Sequence, residues 1–106
     1  LGLMQMGSYF MEKGDTANAL ASFRQAVEWD RGSPPFRHSY AIALSAAGNT
    51  DEAVRQLEEA CRLAPRDAQM RFTYALSLNE AVRMAEATAA LEETVRIDPQ
   101  FARGWY

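Results

Sequence analysis

Few side chains in this sequence could carry out chemistry. His38 is the sole histidine and Cys61 the sole cysteine. No serine, cysteine or carboxylate stands at a spacing that would join His38 to a nucleophile or a metal-ligand set, so neither catalysis nor a metal centre is expected. The neighbouring carboxylates Glu58 and Glu59, and again Glu92 and Glu93, are the type of pair that performs acid–base work. Both pairs are expected on the polar face of a helix, where carboxylates are ordinarily solvated. Cys61 falls on an apolar helical stripe and reads as a small core residue, and a lone cysteine precludes an internal disulfide. Trp29 reads as a packing residue between helical units. No cofactor is expected.

Composition narrows the partners. Eleven basic and 14 acidic residues leave a formal charge of -3, with no basic run to follow a phosphate backbone, so nucleic acid is not an expected partner. The uncharged stretch around Tyr40 to Thr50 is far short of the roughly 20 apolar residues of a membrane span, so no membrane insertion is expected. Ten of the 11 basic residues are arginine and only Lys13 is lysine, a bias expected of a GC-rich bacterial source. The cellular compartment is left open.

The elements that must position these residues repeat. A shift of 34 residues aligns Ala19 with Ala53 and Ala87, Gly7 with Ala41 and Ala75, Phe10 with Leu44 and Leu78, and Phe23 with Leu57 and Leu91. Residues 34–67 and 68–101 share 12 identities in 34 columns, among them Tyr40 with Tyr74 and Pro65 with Pro99. Such self-similarity at one fixed period marks a stacked-repeat architecture. Within each unit the apolar residues recur at three- and four-residue spacing, as on one face of a helix. In the middle unit these are Phe36, Tyr40, Ala43, Leu44 and Ala47, followed by Ala53, Leu57, Ala60, Cys61 and Leu63. Gly14 and Gly48 end first helices, Asn49 or Thr50 caps a second, and Pro65 and Pro99 close the units. The pattern predicts six helices, near residues 1–13, 16–29, 35–47, 50–63, 68–81 and 84–97. Ala19, Ala53 and Ala87 should be buried where paired helices cross closely, with Ala41 as the facing half of the middle contact.

This period, the helix pairs and the small–large order of Gly7, Phe10, Ala19, Phe23 and Ala26 resemble the tetratricopeptide repeat. The resemblance covers essentially the whole chain and implies an all-α, right-handed superhelical solenoid of antiparallel helix pairs. The repeats would span about residues 1–33, 34–67 and 68–101. Residues 102–106 would begin a fourth, since Trp105 lies 34 beyond Arg71 in the column where the family favours tryptophan. The chain therefore reads as part of a longer array, with self-association through Val95, Phe101, Trp105 and Tyr106 expected at its C-terminal end. Two departures stand out: the tryptophan column holds Leu3, Arg37 and Arg71, and Val82 replaces the glycine stop of the third unit, with Arg83 at an unfavourable helix N-terminus.

The resemblance also implies a function. First helices of the family line a concave face that commonly holds an extended or helical peptide. Here that face would contain Met4, Gln5, Ser8, Met11 and Glu12, then Pro35, His38, Ser39, Ile42, Ser45 and Ala46, then Gln69, Phe72, Thr73, Leu76, Asn79 and Glu80. Met4, Met11, Ile42, Phe72 and Leu76 offer adaptable apolar contact, while Gln5, Ser39, Thr73 and Asn79 offer hydrogen bonds. Chaperone-binding members clamp a carboxylate with Lys, Arg and Asn. The matching positions here are Met4, Ser8, Ser39, Gln69 and Thr73, so no clamp forms. The expected function is a protein-interaction scaffold for a neutral or apolar peptide or partner surface. The alternative is a non-catalytic spacer or regulatory array fused to an enzyme domain.

Overall fold

The computed structural model describes residues 2–81 and 84–100, without the side chains of Met84, Ala85 and Ala87. Its described residues form six helices and no strand: α1 (Leu3–Glu12), α2 (Thr16–Trp29), α3 (Pro34–Ala46), α4 (Thr50–Leu63), α5 (Ala68–Glu80) and α6 (Met84–Ile97). Side chains start three of them. Asp15, Ser33 and Asp67 each accept a hydrogen bond from the backbone N–H three residues on, at 3.2, 3.3 and 3.1 Å, satisfying donors that a helix N-terminus leaves free. Asn49 stands at the N-cap of α4 but makes no such bond. Asp51 and Glu52 in the first turn of α4 instead supply negative charge at the positive end of the helix dipole.

Glycine ends the first two hairpin helices. Gly14 and Gly48 have φ of 75° and 85°, and the next residues, Asp15 and Asn49, donate back to the carbonyls of Phe10 and Leu44 at 2.8 Å. Such bonds reach five residues back and need the left-handed conformation that glycine adopts without strain. The third hairpin lacks a glycine, yet α5 still stops at Glu80 and α6 begins at Met84. Val82 and Arg83 lie outside the described residues.

Each helix packs on its sequence neighbours, and α1 also touches α3. One layer is thus built from α1, α3 and α5, backed by α2, α4 and α6. The core between them follows the repeat columns. Ala41, Leu44, Ala53 and Leu57 form one buried cluster. Ala19, Phe23 and Ala43 form a second, and Val54, Ala75, Leu78 and Ala90 a third. Ala19 and Ala53 are fully buried; the expected burial of Ala87 lies outside the described residues.

Sizes are matched across each pair. Gly7 is buried opposite Phe23, and a Cβ at Gly7 would stand 2.6 Å from Cζ and 2.7 Å from Cδ1 of that ring. The same two columns hold Ala41 with Leu57, and Ala75 with Leu91. A large buried side chain on the second helix is therefore met by glycine or alanine on the first.

Two expectations about packing are corrected. Leu63 is half-buried instead of belonging to the buried stripe. Trp29 does not pack between units: it is 84% exposed, over an apolar cleft of about 590 Å³ lined by Gly2, Leu3, Met4, Ala26 and Phe36. The cause is legible in the columns. Phe36 and Met70 occupy one column, and Met70 is buried against Ala60 and Cys61. Gly2 holds that column in the first unit, so no side chain fills the space beside the indole.

Candidate functional site

The face formed by α1, α3 and α5 carries the sequence-predicted residues. On α1 and α3 the structure brings Ser8, Met11 and Glu12 together with Ser39 and Ile42, around a depression of about 270 Å³ whose wall includes the Phe23 ring. A second depression of about 340 Å³ is lined by Met4, Gln5, Ser8, Tyr9 and Glu12. Ser8 and Glu12 belong to both, so the two adjoin along α1. Volumes of this size lie at or below the lower end of small-molecule pockets and suit individual side chains.

Between α3 and α5 the link is polar. His38 Nε2 and Thr73 Oγ1 lie 3.0 Å apart, and the Thr73 hydroxyl is 3.1 Å from the Gln69 carbonyl, to which it donates. A His38 that carries its proton on Nε2 donates to the Thr73 oxygen, whose own proton is engaged with Gln69. Burial lowers the His38 pKa from its ordinary value, a shift opposed by the nearby Asp67 carboxylate. Gln5 is drawn instead to the chain start, where its Oε1 accepts from the Gly2 N–H at 3.0 Å. Phe72 is half-buried and Asn79 exposed. Ile42 and Leu76 are 45% and 47% exposed, large apolar side chains left on the face of α3 and α5.

The charges have a definite layout. Arg37 on α3 turns away toward α4, where its Nη1 donates to Gln56 Oε1 at 2.9 Å and its Nε to the Arg31 carbonyl at 2.9 Å. Arg71 on α5 lines a hollow with Glu86 and Glu93 of α6. Thus the two arginines of α3 and α5 both address second helices. The carboxylate pairs split: Glu58 and Glu92 are exposed, whereas Glu59 and Glu93 bond to Arg62 and Arg96 three residues on, through Nε at 2.9 and 2.8 Å and also through Nη2. These bonds hold both carboxyls below the usual range. Sequence reasoning passed over these pairs, although Glu-x-x-Arg at the same place in both repeats was a visible signal. It also passed over the link from His38 to Thr73, whose separation of 35 residues is one repeat plus one.

Cys61 is buried, and desolvation pushes its thiol up to about 11. Among the described residues no group of three or more His, Cys, Asp or Glu could hold a metal ion, and no helix is long and apolar enough to cross a membrane. Val95 is exposed on α6. Phe101, Trp105 and Tyr106, on which the expectation of self-association otherwise rests, lie outside the described residues.

Known proteins share this architecture. The crystal structure of MamA superposes with a TM-score of 0.86 at 24% identity, over 95% of this chain and 59% of that one. The TPR2B domain of yeast Sti1, solved in complex with pHsp70, superposes with a TM-score of 0.85 at 18% identity, over 96% of this chain and 82% of that one. In sequence, the TPR repeat-containing thioredoxin TTL4 of Arabidopsis thaliana is 36% identical over 63 residues, which are 59% of this chain and 9% of that protein. The chain thus spans less than a tenth of this curated relative. The family model described as tetratricopeptide repeat matches residues 10–76. With that match over more than half its length, and with its six helices paired in the same order, the chain belongs to the tetratricopeptide repeat family.

Proposed function

We propose that the chain is a non-catalytic protein-interaction scaffold. Its α1–α3–α5 face receives a peptide or partner surface of neutral or apolar character. The observation that carries this reading is the exposure of Ile42 on α3 and Leu76 on α5, the former beside depressions lined by Met4, Met11, Phe23 and Ser39. Large apolar side chains grouped on one face, with hydroxyls among them, are what an extended or helical segment needs for contact and hydrogen bonding. The Sti1 domain, solved with pHsp70, supports a peptide as the type of occupant. An acidic tail is not the occupant proposed, because Met4, Ser8, Ser39, Gln69 and Thr73 offer no cation.

The test is calorimetric titration of this chain with partner segments recovered by its capture on a peptide display library. Changing Ile42 or Phe72 to Asp should weaken binding at least tenfold, by setting a charge in an apolar contact. Binding should vary little with salt. An acidic chaperone-type tail should give no heat. Tight, strongly salt-sensitive binding of that tail would refute the groove chemistry.

A second reading has one observation in its favour: TTL4 joins such repeats to a thioredoxin by name. There the array would be a spacer or regulatory part fused to an enzyme domain. A scaffold should capture a defined partner by itself, whereas an accessory array should not.

A further inference from the structure

The two arginines of the first-helix layer are directed toward second helices, and this constrains the partner further. Arg37 is spent on Gln56 and the Arg31 carbonyl, and Arg71 lies in the hollow against α6. Lys13 follows the end of α1, with its ammonium over the Tyr9 ring, 5.7 Å from the centroid. Three acids of the second helices are neutralised locally, Glu52 by Arg55, Glu59 by Arg62 and Glu93 by Arg96, while Glu58 and Glu92 stay exposed on α4 and α6. Glu12 is set apart by its place on the first-helix layer. It stands exposed on α1, it lines both depressions, and among the described residues no ion pair engages it. α5 likewise ends on an exposed glutamate, Glu80.

We propose that Glu12 selects the occupant of the α1–α3 face: an extended segment that seats one apolar side chain against Phe23, Met11 and Ile42 and places a lysine or arginine beside the Glu12 carboxylate. This rests on the scaffold reading above and adds to it the sign of the partner's charge. Three features on the page converge on it. The roughly 270 Å³ depression has the size for a single leucine, methionine or phenylalanine side chain. Its rim carries an unpaired anion where a cation from the partner would meet no competitor from α3 or α5. The hydroxyls of Ser8 and Ser39 on the same rim can bond the backbone between the two anchors. Charge of this kind acts chiefly on choice of partner and on encounter, less on total affinity. An anionic segment is disfavoured by the same layout, since it would meet Glu12 and find no arginine facing it.

The experiment is an NMR titration of the ¹⁵N-labelled chain with three synthetic ten-residue peptides. All three have one leucine in a serine–glycine background; two positions from the leucine they carry lysine, its isostere norleucine, or glutamate. The lysine peptide is expected to shift the amides of Ser8, Met11, Glu12, Ser39 and Ile42. It should bind about two- to fivefold more tightly than the norleucine peptide, the gain typical of one exposed ion pair, and more tightly still than the glutamate peptide. In Glu12→Gln the preference for lysine over norleucine should vanish, while both peptides continue to bind. A norleucine peptide that binds as well as the lysine peptide, or a lysine preference that survives in Glu12→Gln, overturns the proposal. The scaffold reading then still stands, provided Ile42→Asp abolishes the shifts. If none of the peptides perturbs these amides, both readings fall together.

Discussion

Gly7→Ala tests the size matching between first and second helices most directly. In an open helix this change stabilises by about 1 kcal/mol, because alanine is the better helix former. Here a new Cβ would stand 2.6 and 2.7 Å from Phe23 ring carbons, about 1 Å inside the distance at which carbon atoms rest against one another. The ring cannot simply turn aside: Phe23 is buried among Ala19 and Ala43, with Met4, Phe10, Met11, Leu20 and Tyr40 around it. Overpacking of this kind costs about 1–3 kcal/mol, so the net loss is about 0–2 kcal/mol and a single melting curve would not separate the two effects. A double-mutant cycle does. Phe23→Leu alone should cost about 1–2 kcal/mol for the lost ring atoms. Adding Gly7→Ala in that background recreates the pairing of Ala41 with Leu57, so the clash is relieved and only the helix gain remains. The propensity term is common to both backgrounds and cancels, leaving a favourable coupling of about 1–3 kcal/mol. Urea unfolding followed by far-ultraviolet circular dichroism reads it. Additive changes, with Gly7→Ala stabilising equally beside Phe23 and in the Phe23→Leu background, would refute the reasoning.

Ala53→Leu should lower the melting temperature, through an overpacking cost of about 1–3 kcal/mol at the helix crossing, while Glu59→Ala leaves it nearly unchanged because its ion pair is on the surface; equal shifts would show the register to be wrong. His38 is held neutral by burial, so its folded pKa lies below the unfolded value of 6.5. The unfolded chain then binds the proton more readily, and stability should fall as pH drops through about 6.5 toward the folded pKa, less steeply in His38→Gln; matching pH profiles for the two proteins would show that the imidazole is not desolvated. Cys61, with its thiol pushed up to about 11, should resist labelling by a disulfide reagent at neutral pH until the chain is unfolded; immediate reaction would contradict its burial.

The second helices were legible almost to the residue. Thr16–Trp29, Thr50–Leu63 and Met84–Ile97 coincide with the predicted spans: Gly14, Gly48 and Pro65 bound the first two, and the third keeps the 34-residue register without a start signal of its own. The first helices shifted by one or two residues. Lys13, Ala47 and Ala81 have φ near −85° and ψ near 0°, dihedrals that look helical to a periodicity reading but already begin the turn. Ser33 caps α3 one residue earlier than expected because both Pro34 and Pro35 fit its first turn. Of the predicted face, Ser8, Met11, Ser39 and Ile42 surround one hollow, and His38 meets Thr73. Gln5 went to the chain start, a local bond that a column-by-column reading cannot see. The exposure of Trp29 was missed for a related reason: it depends on Gly2, at the start of the same unit, and not on tryptophan itself.

The polar contacts of this chain also bear on how such arrays grow. Glu59 with Arg62 and Glu93 with Arg96 close within single helices, and Arg37 with Gln56 closes within one hairpin. A hairpin copied or transposed by recombination therefore carries its own counter-charges and leaves no orphan behind in its neighbour. What it must match is apolar shape at the junction, a looser requirement that many sequences satisfy. The bond from His38 to Thr73 is of another kind, as is that from the Tyr74 hydroxyl to Glu58: both stitch the second hairpin to the third, and shuffling at that junction would break them.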